Sequence, residues 1–329
     1  MKKTIYAGTY TSKTSKGIYQ FSFEDGKFSD SKQFCTIKNP KYLALSNHEI
    51  ITVADFEHDS GVALIDAKGE IKDISAFEER TSCYVTEKDD DIYTANYHTG
   101  VVTYLKKVDG KLKYVNSIQI QDGAGCHQVL LWKDLILVPC LFLDRVIILD
   151  RTFKKISSIH FNANTGPRHG VFTKDGEYLY LVSELSNELF VIHTGDWEIE
   201  AQISVFMNQE KHIRDTAAIR LSEDEKYVYV STRTKDVIST IELEDHKPTV
   251  IQTTSCGGKH PRDFILIDHY LLCGNRNSNE VVCFNINEDG TLGKITDRVE
   301  VPEVVSLYTN EVIAGCSGFF LILTIDIML

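Results

Sequence analysis

Short apolar runs separated by polar turns recur along the whole chain. They alternate too fast for long amphipathic helices and are rich in β-branched and aromatic residues, so they read as strands. One stretch shows the pattern plainly: GPRHGVFTKDGEYLYLVSEL, from Gly166 to Leu185. Two apolar runs flank Asp175-Gly176, a tight-turn pair, which predicts a β-hairpin with a two-residue turn. Lys174 then faces Glu177, and pairing continues outward with a constant index sum. That arithmetic sets Arg168 opposite Ser183 and diagonal to Glu184, within side-chain reach.

The same unit repeats. Related stretches start near Asn39, Thr81, Gly125, Gly166, Arg214, His260 and Val301. Their spacing, roughly 40 to 48 residues, is the period of a four-stranded propeller blade. The pattern predicts an all-β, seven-bladed propeller of four-stranded antiparallel blades, one domain over residues 1–329. The seventh unit, VPEVVSLY, is incomplete. The N-terminal TIYAGTYTSKTSKGIYQFSF and FSDSKQFCTI supply the three missing strands, so N- and C-terminal strands close the last blade and leave no open edge. A ring of six blades plus an edge sheet is the alternative count. The tail EVIAGCSGFFLILTIDIML fits no place in the repeat, and its EVIAG competes with TIYAG for the closing position.

In a propeller the starts of first strands and the ends of second strands share one rim. The starts carry Tyr42, Cys83, His127, Arg168 with His169, Asp215 and Arg262. The ends carry Asp55, Asn96, Glu184, Arg233 and Asn275 with Arg276. Four arginines, two histidines and a glutamate thus converge on one mouth. The chain as a whole carries a net charge of −12 at pH 7, which makes that cluster conspicuous. The overall charge gives no basis for nucleic-acid or anionic-membrane binding. Arginine captures carboxylate or phosphate through paired hydrogen bonds, so the mouth predicts a small anionic ligand.

No apolar run reaches the ~20 residues that span a bilayer, and MKKTIYAGTY lacks the apolar core of a signal peptide. Eight scattered cysteines without a C-x-x-C pair read as buried, reduced thiols of a cytoplasmic protein. No two of the 11 histidines lie closer than nine residues, so no local metal motif exists and no metal or cofactor is expected. His193, His212 and His269 read as solvated or capped. The chain has no G-x-S-x-G elbow, no Walker A loop and no dinucleotide-binding glycine pattern.

The stretches YAGTYT with GIYQF, GCHQ, GPRH…DGEYLY…SEL, AAIRLSEDEKYVYVSTRTKDVI and HPRDF…NRNSNEVVCF resemble the seven-bladed lactonase family, from Lys3 to about Tyr308. That family includes propeller-type 6-phosphogluconolactonases and carboxy-muconate lactonising enzymes. The resemblance implies His127, Arg168, Glu184 and Arg233 as the catalytic set. The second and third blades depart from it, with TSCY and PCLFLDR at the rim positions.

The leading expectation is hydrolysis of a phosphorylated sugar lactone, 6-phosphogluconolactone, in the pentose phosphate pathway. Glu184, beside Arg168, stays ionised and orients. His127, titrating near neutrality, is the candidate base. Arg168 or Arg233 faces the oxyanion. Arg262 and Arg276 take the phosphate, with His169 and Asn275 as further substrate contacts. A lactonising enzyme acting on a dicarboxylate and a non-catalytic propeller binding a partner at its rim are the alternatives.

Overall fold

A computed structural model describes residues 1–46, 48–207 and 214–309. The tail 311–329, its possible competing strand and His212 lie outside the described residues.

Seven antiparallel sheets form the molecule. Blades 1 to 6 are simple four-stranded meanders beginning at Leu43–Ser46, Tyr84–Lys88, Leu130–Trp132, Pro167–Phe172, Thr216–Leu221 and Pro261–Ile267. These first strands, with Val304–Thr309 of blade 7, pack on one another around the axis and line the central channel. The seven-blade count therefore holds over six blades plus an edge sheet. In blade 7, Val304–Thr309 pairs with Lys3–Thr9, which pairs with Gly17–Glu24. Its outer strand is split into Lys27–Phe28 and Lys32–Thr36, both on Gly17–Glu24.

The core is distributed. Buried apolar residues fall into seven clusters, one at each junction between neighbouring blades. Middle strands are therefore buried on both faces: all six residues of Ser60–Ile65 are buried. This explains why such strands read as continuous apolar runs. Outer strands such as Lys111–Gln119 face water and carry the polar residues.

Asx side chains tie consecutive blades together. Asp144 Oδ1 accepts from Gly166 N at 2.8 Å, Asn187 Oδ1 from Thr216 N at 3.1 Å, Asp236 Oδ1 from His260 N at 2.6 Å and Asn279 Oδ1 from Glu303 N at 2.8 Å. Each acceptor follows the second strand of its blade and sits at a φ between +49° and +57°, a conformation Asn and Asp tolerate best among non-glycine residues. Each donor lies at or just before the next inner strand, so these contacts set where the rim residues begin.

The closing blade has its own clasp. Glu303, 4% exposed, accepts from the backbone N–H groups of Ser12, Lys13, Thr14 and Ser15 at 2.8–3.2 Å and from the Ser12 hydroxyl. Burial raises the Glu303 carboxyl, but the Ser12 and backbone donors outweigh it and hold the pKa below the ordinary 4.5. Stability from this group is thus present at neutral pH and is lost as pH falls below about 4.5 through the lower folded value. Glu303→Ala is expected to cost about 1–3 kcal/mol in urea unfolding at pH 7. Glu303→Gln is expected to flatten the acid limb of stability against pH, and an unchanged acid limb would show that the clasp carries no charge-dependent stability.

Candidate active site

The hairpin of the fourth blade differs from its predicted form in two respects. Asp175 accepts from the Thr173 hydroxyl at 2.6 Å and from Glu177 N at 2.9 Å, and Gly176 N donates to Thr173 O at 2.9 Å. The turn is therefore a wider loop closed on Thr173. The index sum nevertheless holds from Phe172↔Leu179 to His169↔Val182. A bulge then breaks it: Ser183 pairs with Pro167, and Arg168 is the unpaired residue. Related bulges occur between Thr216 and Ile219 and between Pro261 and Asp263. A bulge re-aims a side chain out of the ladder, and Arg168 and Arg262 both occupy such positions.

Arg168 and Glu184 meet as the sequence predicted, by a different register. Arg168 Nε donates to Glu184 Oε2 at 2.7 Å, and its Nη1 donates to the Ala217 carbonyl in the next bulge. The other Glu184 oxygen, Oε1, lies 2.9 Å from Arg233 Nη2. Arg233 is held in turn by Asp215, through Nε to the carbonyl at 3.1 Å and Nη2 to Oδ1 at 3.2 Å. Asp215 has a φ of +100°, rare for a residue with a side chain, and its own N–H donates to Glu184 O at 2.8 Å. Arg168 is 2% exposed. Burial brings its pKa down to about 10 against the pull of Glu184, so it stays charged at neutral pH. Burial raises the Glu184 carboxyl, but Arg168 and Arg233 outweigh it and hold it below the ordinary range. Glu184 is thus a fixed anion shared by two cations.

His127 and His169 form a second buried group. His127 Nδ1 lies 3.1 Å from His169 Nε2, with the rings edge to face. Burial, then Arg168 and other arginines, pushes both imidazoles well below the ordinary 6.5. This corrects the expectation that His127 titrates near neutrality: burial among cations keeps it neutral. A cavity of about 20 Å³ opens beside the pair, lined by Lys41, Cys83, His169, Arg262 and Asp263 among others. Cys83 is a thiol rather than a thiolate there, burial raising it to about 11.

Arg262 and Arg276 share the ring of Tyr10, at 5.4 Å and 4.4 Å from its centroid. Neither has a carboxylate partner among the described residues. His260 joins this side of the mouth, its pKa lowered to about 4 by burial and by Arg233, Arg262 and Arg276. Asn275 does not belong to the mouth. It is fully buried, donating to Cys256 O at 3.1 Å, because it pairs with Pro261 as the buried Ser183 pairs with Pro167, one residue short of the rim position that Arg276 takes. Asn96 is likewise buried, bridging Glu78 and the Arg80 carbonyl, and Asp55 accepts from Asn39 and Ser60.

Several site residues escaped sequence reasoning. Lys41 precedes Tyr42, and Tyr97 follows Asn96 and packs 5.7 Å from His127. Both stand one place from rim positions already identified, and that offset was the available signal. Asp263 follows Arg262 and pairs with Arg220 at 2.7 Å. Tyr10 stands in the YAGTYT stretch that carries the resemblance, but it lies in a loop outside the rim positions of the repeat, so the repeat did not point to it.

Residues 4–309 match the family described as lactonase, seven-bladed β-propeller. A protein of Bacillus subtilis named 6-phosphogluconolactonase is 26% identical over 332 residues, covering 90% of this chain and 95% of that one. A solved structure from Lactobacillus plantarum superimposes with a TM-score of 0.88 at 28% identity, over 94% of this chain and all of that one. The periplasmic gluconolactonase of Pseudomonas aeruginosa has a TM-score of 0.83 at 20% identity, over 94% of this chain and 99% of that one, a likeness of fold. Together with the ring of seven blades and its arginine-lined mouth, the match over nearly the whole chain places this protein in the seven-bladed β-propeller lactonase family.

Proposed function

We propose that this lactonase hydrolyses a phosphorylated sugar lactone, with 6-phosphogluconolactone as the fitting substrate. The observation that carries the reading is the pair Arg262 and Arg276, cations on one Tyr10 ring with no carboxylate partner among the described residues. They stand beside the cluster of His127, Arg168, Glu184 and Arg233, Arg262 lining one cavity with His127 and Arg168. Such an arrangement suits a substrate with a reacting carbonyl at one end and an anionic group at the other. The B. subtilis relative's name supports the same reading.

The residues divide the work. Glu184 is committed to two arginines, so it orients them and does not accept a proton. Arg168 spends Nε and Nη1, and Arg233 spends Nε and Nη2, on fixed acceptors. Each keeps one terminal nitrogen for the oxygen that gains charge when water attacks the lactone carbonyl. Donors fixed in advance cost no reorganisation at that moment. His127, neutral and facing Tyr97 at the mouth, is the group that takes the water's proton.

Arg262→Ala or Arg276→Ala is expected to raise KM for the phosphorylated lactone about 10- to 100-fold, the worth of one charge-assisted hydrogen bond. The same change should leave KM for the unphosphorylated lactone nearly unaltered, and equal losses on both would overturn the phosphate assignment. His127→Ala is expected to lower kcat by roughly 10²–10⁴. Because His127 stays neutral, kcat on the unphosphorylated lactone is expected to show no histidine limb from pH 6 to 8, once the spontaneous rate is subtracted. An inflection near 6.5 that His127→Ala abolishes would contradict the buried, neutral state.

A further inference from the structure

A neutral imidazole amid arginines is a weak base on its own. Protonating it would place a fourth cation among Arg168, Arg233 and Arg262, which all act on His127. His169 shares these cationic surroundings and lines the same cavity as His127. His169 is 5% exposed, and its Nδ1 is buried with no hydrogen-bond partner among the described residues. Arg168, Arg220 and Arg262 act on it, and it borders the same cavity as Asp263 and Lys41. Asp263 is 3% exposed and holds Arg220 at 2.7 Å and Leu307 N at 3.0 Å. The cavity's 20 Å³ is room for one water.

We propose that His169 is a positioning and relay residue: it fixes the tautomer of His127 through the 3.1 Å contact and passes the proton on to a cavity water beside Asp263. The inference rests on the lactone-hydrolysis reading above. His127 and His169 both line the one cavity, together with Arg168, Arg262 and Asp263. His169, whose Nδ1 is buried without a partner among the described residues, lines the cavity to which Asp263 brings a carboxylate.

The step balances. The attacking water's O–H bond breaks as its oxygen bonds the lactone carbonyl carbon, and that proton goes to His127 Nε2. The His127 Nδ1 proton crosses to His169 Nε2, and the His169 Nδ1 proton moves to the cavity water, shared with Asp263. The reverse shift delivers a proton to the ring oxygen as its bond to the acyl carbon breaks. The sum is lactone plus water to hydroxy acid, and no imidazolium accumulates. Tyr42 and Tyr84, edge-on to His169 at 6.4 Å and 5.8 Å, keep its ring from turning away.

Two measurements on the full chain test this. Nitrogen-15 spectra of histidine in the free protein are expected to show His127 neutral with its proton on Nδ1. His169→Phe should shift it to the other tautomer, and His169→Gln, which still accepts that proton, should restore the wild-type pattern. In kinetics on the unphosphorylated lactone, His169→Phe and His169→Gln should both lower kcat about 10²-fold with KM unchanged. Mixed H₂O/D₂O rates should be curved in the wild type and linear in both variants, and His127→Ala combined with His169→Phe should lose no more than His127→Ala alone. A His127 tautomer indifferent to His169→Phe overturns the positioning role. A linear wild-type isotope plot, or wild-type kcat in His169→Gln, overturns the relay. A protein that turns over no lactone, yet whose His127 tautomer follows His169, loses the hydrolytic reading and keeps the positioning role.

Discussion

No blade of this protein has a core of its own. The apolar residues are buried only at the seven junctions, so every sheet depends on both neighbours. Each fully buried Val, Leu or Ile contributes about 1.5–3 kcal/mol, and an unclosed ring would leave two sheet faces in water. Closure therefore falls to the pairing of Val304–Thr309 with Lys3–Thr9, and Glu303 locks it from the far end of the chain. The same closure fixes the diameter of the channel and brings rim residues from distant blades within hydrogen-bond distance.

The mouth concentrates cations in a protein of net charge −12. Burying Arg168 is costly unless it is paired, and Glu184 supplies the charge while Ala217 supplies a carbonyl. Glu184 also serves Arg233, which Asp215 pairs with as well, so these two guanidinium groups are matched by two carboxylates. The positive excess comes from the Arg262–Tyr10–Arg276 group, which has no carboxylate partner among the described residues. Burial, and after it the nearby arginines, keeps the two histidines neutral.

Much of this was legible in the chain. The period revealed the blades, and the split closure followed from the short seventh unit. The meeting of Arg168 with Glu184 followed from hairpin arithmetic, although the bulge moved Arg168 out of the pairing it was assigned. Bulges are set by how a strand bends against its neighbours, and the local pattern GPRHGVF does not reveal one. Asn275 shows the complementary error: the bulge at Arg262 pairs it with Pro261, the place of the buried Ser183, one residue inside the rim. His127 was expected to titrate near neutrality, but its pKa depends first on burial by the closed ring and then on arginines contributed by three other blades.

By itself, then, the sequence determined what repeats: strand length, turn positions, the number of blades and which residue types stand at each rim position. These depend on neighbours along the chain, where alternation and turn chemistry act. Only the tertiary structure decided how Glu184 is shared, which histidine touches which, that Tyr10 sits under two arginines and which Asn is buried. Those outcomes depend on distances between blades, set by ring closure and by local bulges. Charge, burial and hydrogen bonding act across that space with no regard to position in the chain.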